Sequence, residues 1–362
     1  MRRLAVIPVM LTAVLAACSH RPPADFAPDP GLVSHIRSIE LLAPPHACPG
    51  QGFAVQYTAV LDDGSRLPFE TRYDKKHPPR LHVVFLDLTS NEASPYAGGW
   101  SPDRDPVTSV RGGFRLHAAL HANPSITGSA TVLPSYECVR HDYVFSGQDG
   151  GTGEGGGDGP PVTVRVAVGR SPYYNRLLIA GVEVANAPPF YIIADATTIQ
   201  PAFWLTIASR GGNGGRGAKG RNGSAGAAGA TGCPGGAGGP GGAGGAGGIG
   251  GNGGRGGSIT IIAAAEEPFL AGVVQPRSPA GDGGQGGAGG KGGTGGAGGT
   301  AGKDRDGNAC QAGSKGPDGA DGRDGRGGDP GYRGPDPRVL TVPGRDVFGP
   351  NVPAEIASLL KR

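Results

Sequence analysis

From Gly211 to Gly256 every third residue is glycine without a miss, sixteen triplets in succession, and in ten of them the next residue is glycine too. A second tract keeps the same period from Gly281 to Gly302, loses phase over 303–310 and resumes in a new phase from Gly313 to Gly334. A period of three fits neither the two-residue repeat of a strand nor the 3.6-residue repeat of an α-helix. It is the period of the left-handed polyproline II helix, which turns once per three residues and makes no hydrogen bonds of its own. Its backbone polar groups must therefore find partners in a neighbour. Glycine recurs on the edge where another backbone comes too close for a Cβ.

Three states answer that description. A collagen-like trimer surrounds a glycine axis with three chains and relies on proline in the other two positions. The first tract offers only Pro234 and Pro240 there. Several polyglycine II helices of one chain can instead pack side by side, and Gly-Gly-x suits them because neighbours then touch on more than one edge, with Cα–H groups adding weak bonds. The third state is disorder. Ordering a backbone costs about 1–2 kcal/mol per residue, and each hydrogen bond returns about 0.5–1.5 kcal/mol net, so the array sits near balance. The stretch 315–325 has single glycines with charged residues between them and resembles bacterial collagen-like repeats. Packed polyglycine II helices are the expectation, with collagen-like and disordered states as alternatives.

Arg2 and Arg3 precede an apolar run over 4–15, too short to span a bilayer, and the run ends in Leu15-Ala16-Ala17-Cys18. This is the pattern of an export signal, and its last four residues resemble the lipobox of bacterial lipoproteins. The resemblance implies that Cys18 is acylated, becomes the first residue of the mature chain and anchors it to a membrane. Ser19 after that cysteine resembles the sorting signal for the outer membrane. No later apolar stretch approaches membrane-spanning length, so the expected location is the bacterial cell envelope, lipid-anchored and outside the cytoplasm.

Four other cysteines remain, Cys48, Cys138, Cys233 and Cys310. An even number in an oxidising compartment predicts two disulfides. Three pairings exist; Cys48 with Cys138 and Cys233 with Cys310 keep each bridge within one compositional region.

The expected fold class is mainly β with little helix, a β-sandwich ectodomain followed by the Gly-x-x region. The predicted divisions are a signal peptide over 1–17, the lipidated cysteine and a proline-rich stalk over 18–31, and a β-sandwich over 32–146. A Gly-rich linker or loop follows over 147–159, then further strands over 160–209. The first Gly-x-x tract covers 210–257, a strand-containing spacer 258–278, the second tract 279–335, and a C-terminal strand and short helix 336–362. Strand patterns are read at 34–42, 53–61, 81–88, 114–122, 130–133, 143–145, 162–168, 177–184, 190–194 and 203–208. The spacer and the C-terminus add 258–263 and 338–342, and 353–361 reads as a helix.

Gly232-Cys233-Pro234-Gly235 amid Gly-Gly-Ala triplets is similar to the snow-flea antifreeze proteins, which implies a disulfide-stapled polyglycine II bundle. The glycine runs beside 207–208 and 258–261 look like those of the Gly-rich domain of Obg-type GTPases, which implies glycine helices entering and leaving a β-sheet. Neither likeness transfers a function, and ice binding would be served by a shorter chain.

The sequence is sparing with chemistry. No Gly-x-x-x-x-Gly-Lys-[Ser/Thr] loop and no Gly-x-Ser-x-Gly elbow occurs. His117 and His121 stand four apart without the glutamate of a zincin, so no metal site and no cofactor is expected. The acidic series Asp304, Asp306, Asp318, Asp321, Asp324 and Asp329 offers oxygens for Ca²⁺, but Arg305, Arg323 and Arg326 between them favour ion pairs. Arg210, Arg216, Lys219, Arg221 and Arg255 make the first tract cationic and suit contact with anionic polysaccharide, while the overall charge of +3 is too small to imply a polyanion partner. Arg-Gly-Gly triplets would suit RNA, but export removes nucleic acid from the partners. These readings predict a non-catalytic structural or binding protein of the envelope, monomeric, with a polysaccharide or protein partner. The alternatives are an adhesin on a trimeric collagen-like stalk and an envelope hydrolase whose site is built from sandwich loops.

Overall fold

A computed structural model describes residues 22–96, 98–185, 187–202 and 204–360. Strands take 31% of the chain and helices 8%, so the fold is mainly β. The chain divides between Ser135 and Tyr136 into two units.

Unit 1 begins with a short helix, α1 (Pro30–His35), started by Pro30 and by the Asp29 carboxylate, which accepts the Gly31 N–H at 3.0 Å. Nine strands follow: β1 (Ile36–Leu42), β2 (His46–Ala47), β3 (Gln56–Leu61), β4 (Arg66–Pro68), β5 (Leu86–Thr89), β6 (Ala93–Tyr96), β7 (Gly99–Pro102), β8 (Phe114–Leu120) and β9 (Asn123–Pro134). A second short helix, α2 (Pro106–Ser109), lies between β7 and β8. The sheets run β1-β3-β4 and β2-β9-β8-β5, and β6 and β7 form a hairpin. Along β8 buried and exposed residues alternate, as one covered face requires. Its inward side chains Phe114, Leu116, Ala118 and Leu120 share one core with Ile36, Ile39, Tyr57 and Ala59 of the first sheet.

Unit 2 holds eight strands: β10 (Asp142–Ser146), β11 (Val162–Gly169), β12 (Leu177–Val184), β13 (Phe190–Asp195), β14 (Leu205–Arg210), β15 (Ile259–Ala264), β16 (Val274–Arg277) and β17 (Arg338–Val342). A C-terminal helix, α3 (Ala354–Leu359), buries Ile356 and Leu359. One sheet is β10-β14-β16, all parallel. The other is β13-β12-β11-β15-β17, in which β11, β15 and β17 are parallel and β12 and β13 antiparallel. Each strand of the first sheet continues into a glycine-rich excursion that returns as a parallel strand of the second. The three excursions together supply six extended segments: segments 1 (147–153) and 2 (154–159), segments 3 (211–232) and 4 (235–257), and segments 5 (279–302) and 6 (313–334).

Hydrogen bonds tie these segments at every third residue. Segment 4 donates from Gly235, Gly238 and so on to Gly256 into carbonyls of segment 6 and the residues just before it, from Gln311 to Tyr332, each at 2.9 Å. The next glycine in each triplet, Gly236 to Gly257, donates to segment 3 and the end of β14, antiparallel, from Ala230 back to Ser209. Segment 3 donates in parallel to segment 5, as Gly220 does to Ala288 at 2.9 Å. Segment 5 donates back to segment 4 and segment 6 to segment 5, as in Gly290 to Gly245 at 2.9 Å and Gly322 to Gly290 at 2.8 Å. Segments 1, 3 and 5 therefore run one way in one layer, and 2, 4 and 6 return in a second, in the order of the strands that feed them.

The spacing leaves no room between the backbones. A Cβ on Gly290 would lie 1.9 Å from the Arg221 carbonyl oxygen and 2.5 Å from its carbon.

The 147–159 stretch, expected as a Gly-rich linker or loop, forms no strand or helix but is held by hydrogen bonds: Gly147, Gly150 and Gly153 donate to Arg210, Asn213 and Arg216, and Gly156 and Gly159 to Asn252 and Arg255. The 143–145 strand also belongs with unit 2 rather than with the 32–146 domain, pairing with β14. The 81–88 stretch is part 3₁₀ turn (Val83–Phe85) and only then strand. β2, β4, β6, β7 and β16 carry no alternation long enough to be read, and four of them contain proline on an edge strand.

Candidate functional site

Unit 1 contains a cavity of about 710 Å³ whose walls come from separate stretches of chain. Tyr57 on β3 is 4% exposed, and its hydroxyl accepts the Trp100 indole N–H at 2.6 Å. Burial pushes the phenol above its usual range, so it keeps its own proton to donate. The β6–β7 hairpin carries Tyr96 on the rim, half exposed. Its turn is possible because Gly98 adopts φ +96°, a conformation that a residue with a Cβ resists.

His82 opens the 3₁₀ turn before β5, and its Nδ1 accepts the Val84 N–H at 3.1 Å. The neutral ring therefore carries its proton on Nε2. His82 is 6% exposed, and burial holds its pKa below the ordinary imidazole value. No acceptor for that second N–H stands among the described residues. Phe26 packs against this wall, 5.0 Å from Tyr73 and 6.0 Å from His82 between ring centroids. Asp87 of β5 supplies the lining's one carboxylate; it takes His121 Nδ1 at 3.2 Å and stays half exposed. Among the described residues no lysine or arginine borders the cavity. Sequence reasoning did not mark any of these residues as a site. The alternation over β3 places Tyr57 inward, but nothing local unites it with His82, Asp87 and Tyr96.

The residues that the sequence did single out are dispersed. Cys18 and the apolar run before it lie outside the described residues. Cys233 and Cys310 form a disulfide with Cα atoms 5.2 Å apart; it joins the turn between segments 3 and 4 to the loop between segments 5 and 6. Cys48 and Cys138 are likewise disulfide-bonded.

Arg210 does not stand free for an anion: its guanidinium bonds Asp282 at 2.8 Å and the Asn213 side chain at 3.0 Å. Arg216, Lys219, Arg221 and Arg255 are exposed and meet no carboxylate among the described residues. They are strung along segments 3 and 4 rather than gathered. His117 is exposed on β8, and His121 is held by Asp87; no group of three metal-ligating side chains occurs among the described residues.

The acidic series forms ion pairs, as Arg326 with Asp329 at 3.5 Å, and has a further task. Asp318, Asp321 and Asp324 accept the N–H groups of Gly295, Gly292 and Gly289 at 2.7–2.8 Å, at every third residue of segment 5. Asn222 and Asn213 do the same for Lys291 and Asp282. Ion pairing accompanies this at Asp318, which Lys315 contacts at 2.6 Å.

No protein-family model matches the chain, and no curated protein or solved structure is similar to it at a significant level. Among the described residues no helix is long and apolar enough to cross a membrane.

Proposed function

We propose that this chain is a lipid-anchored protein of the bacterial cell envelope with a non-catalytic structural and binding role. In this reading its glycine excursions form a single-chain bundle of polyglycine II helices, and unit 1 is a β-sandwich that carries the binding surface. The observation that supports it most is the three-residue hydrogen-bond ladder, in which the inner glycines of segments 3 to 6 take their partners from the same chain. A collagen-like stalk would need those edges free for two further chains, so a monomer fits better than a trimeric adhesin. The bundle is then a rigid platform with exposed small and charged residues. Its Cys233–Cys310 bridge suits an oxidising compartment, and the Cys18 motif suits attachment to the outer membrane, with a polysaccharide or protein of the envelope as partner.

Two measurements test the reading. Metabolic labelling with a fatty acid should mark the protein, and Cys18→Ser should abolish the label and shift the chain from the membrane to the soluble fraction; an unlabelled wild type would overturn the anchor. Small-angle scattering on the Cys18→Ser chain should give a monomer. At about 3.1 Å per residue, one continuous helix over the first tract would extend nearly 150 Å, so a long trimer would overturn the bundle.

A further inference from the structure

We propose that the unit 1 cavity is a saccharide-binding site that takes neutral pyranose rings of an envelope glycan. The walls offer what a sugar asks of a protein. Tyr57, Tyr73 and Tyr96 present apolar ring faces to the C–H side of a pyranose, while hydroxyls at the ring's edge both donate and accept. The Asp87 carboxylate accepts two such hydroxyls, and the Tyr57 O–H and His82 Nε2–H donate to others. His82 is the informative member. It is 6% exposed as a residue, but its Nε2 is not among the buried atoms that lack a partner, so that N–H borders open space and is available to a sugar hydroxyl.

The charge pattern narrows the class. Among the described residues the lining holds one carboxylate and no lysine or arginine, which favours a neutral ligand over phosphates and uronates. The volume, about 710 Å³, is that of a site for an extended small ligand and accommodates more than one ring. Position supports the source. Pro22 borders the cavity and stands four residues after Cys18, so a fully extended chain of about 3.5 Å per residue keeps the cavity's edge within about 14 Å of that cysteine. If Cys18 is acylated, as proposed above, the site opens into the glycan layer at the membrane surface. This part of the inference rests on that reading; the sugar chemistry does not.

The test titrates the full chain carrying Cys18→Ser with maltotriose, cellotriose and tri-N-acetylchitotriose, with choline and inorganic phosphate as contrasts, by calorimetry and by NMR of the tyrosine rings. At least one trisaccharide should bind with a dissociation constant of about 1 mM or tighter, with perturbed Tyr57 and Tyr96 signals. Asp87→Asn and Tyr96→Ala, both half exposed and therefore tolerable to the fold, should each weaken binding about tenfold or more with unchanged thermal unfolding. Tyr332→Ala, an exposed tyrosine of unit 2, should change nothing. Vesicles of phosphatidylglycerol with and without diglucosyl diacylglycerol separate the sources: tighter binding to the glycolipid than to any trisaccharide assigns a lipid headgroup, and the reverse assigns a polysaccharide chain. No saccharide binding, binding untouched by both variants, or preference for choline would overturn the site. Saccharide binding by a chain that is never acylated would keep the site and remove only its membrane setting.

Discussion

Unit 1 and the glycine bundle of unit 2 solve the same problem with opposite materials. Unit 1 buries large side chains: Trp100, Phe114 and Leu120 are fully enclosed, and the backbone is held at a distance set by their volume. The bundle has almost no side chains to bury. Its segments close until carbonyl and Cα atoms touch, and what excludes water is backbone against backbone. One core is therefore sensitive to losing atoms and the other to gaining them. The difference also fixes where each can carry function. A side-chain core leaves room for shaped cavities such as the one under Tyr57, whereas a lattice of touching backbones offers only its outer faces.

The largest expected effect tests the sensitivity to added atoms. Gly290→Ala places a methyl 1.9 Å from a backbone oxygen that no rotamer change can move, and the expected loss is on the order of 5 kcal/mol, the range reserved for such specific clashes. Gly272→Ala, where a Cβ meets nothing within 4 Å, should be silent. Thermal unfolding of the two variants side by side checks the contrast; equal behaviour would mean that the segments are not packed as described.

Next comes the staple. Cys233 and Cys310 are separated by 77 residues, and chain-entropy reasoning assigns closure of a loop that long about 4.5 kcal/mol. Cys233→Ser/Cys310→Ser should lower the bundle's protection from proteolysis while unit 1 resists as before. A bundle that keeps full resistance would place its stability in the hydrogen bonds alone.

Phe114→Ala supplies the converse. Deleting a fully buried ring from unit 1 should cost about 3–4 kcal/mol through lost burial and a cavity, and amide exchange in segments 3 to 6 should not change. Loss of protection there would show that the two cores are not independent.

How far the sequence anticipated this follows from the same contrast. The three-residue spacing of the tracts was legible because each triplet repeats the one before. The strand over 162–168 was legible too, since Val162, Val164 and Val166 alternate into a core where all are at most 2% exposed. Segments 1 and 2 were not, because Gly147, Gly150 and Gly153 give a period of three too short to stand out from a loop. Their identity rests on neighbours sixty and a hundred residues away. The saccharide cavity was invisible for a related reason: Tyr57, His82, Asp87 and Tyr96 share no local pattern and meet only after the sheets form. The acidic residues 318, 321 and 324 were visible as a series, and ion pairs do form in it, as Arg326 with Asp329, but the bonds to segment 5 were not legible, since their period of three matters through that segment and not through each other.

That series gives the smallest and most local way to sharpen the comparison. Segment 5 presents two N–H groups side by side, that of Gly296 bonded to the Gly239 carbonyl at 2.8 Å and that of Gly295 to the Asp318 carboxylate at 2.7 Å. The first partner is backbone and does not titrate. The second does, and the hydrogen bonds from Lys315 and then from Gly295 hold its carboxyl below its ordinary value of 3.8. A carboxyl depressed in the folded state stabilises above its unfolded pKa and loses that contribution as pH falls through the lowered folded value. The ratio of amide exchange at Gly295 to that at Gly296 should therefore stay constant down to about pH 4 and climb below it. In Asp318→Ala the ratio should be raised at every pH and flat. A wild-type ratio that stays flat through the acid range would mean that this edge of the bundle is closed by something other than the aspartate ladder.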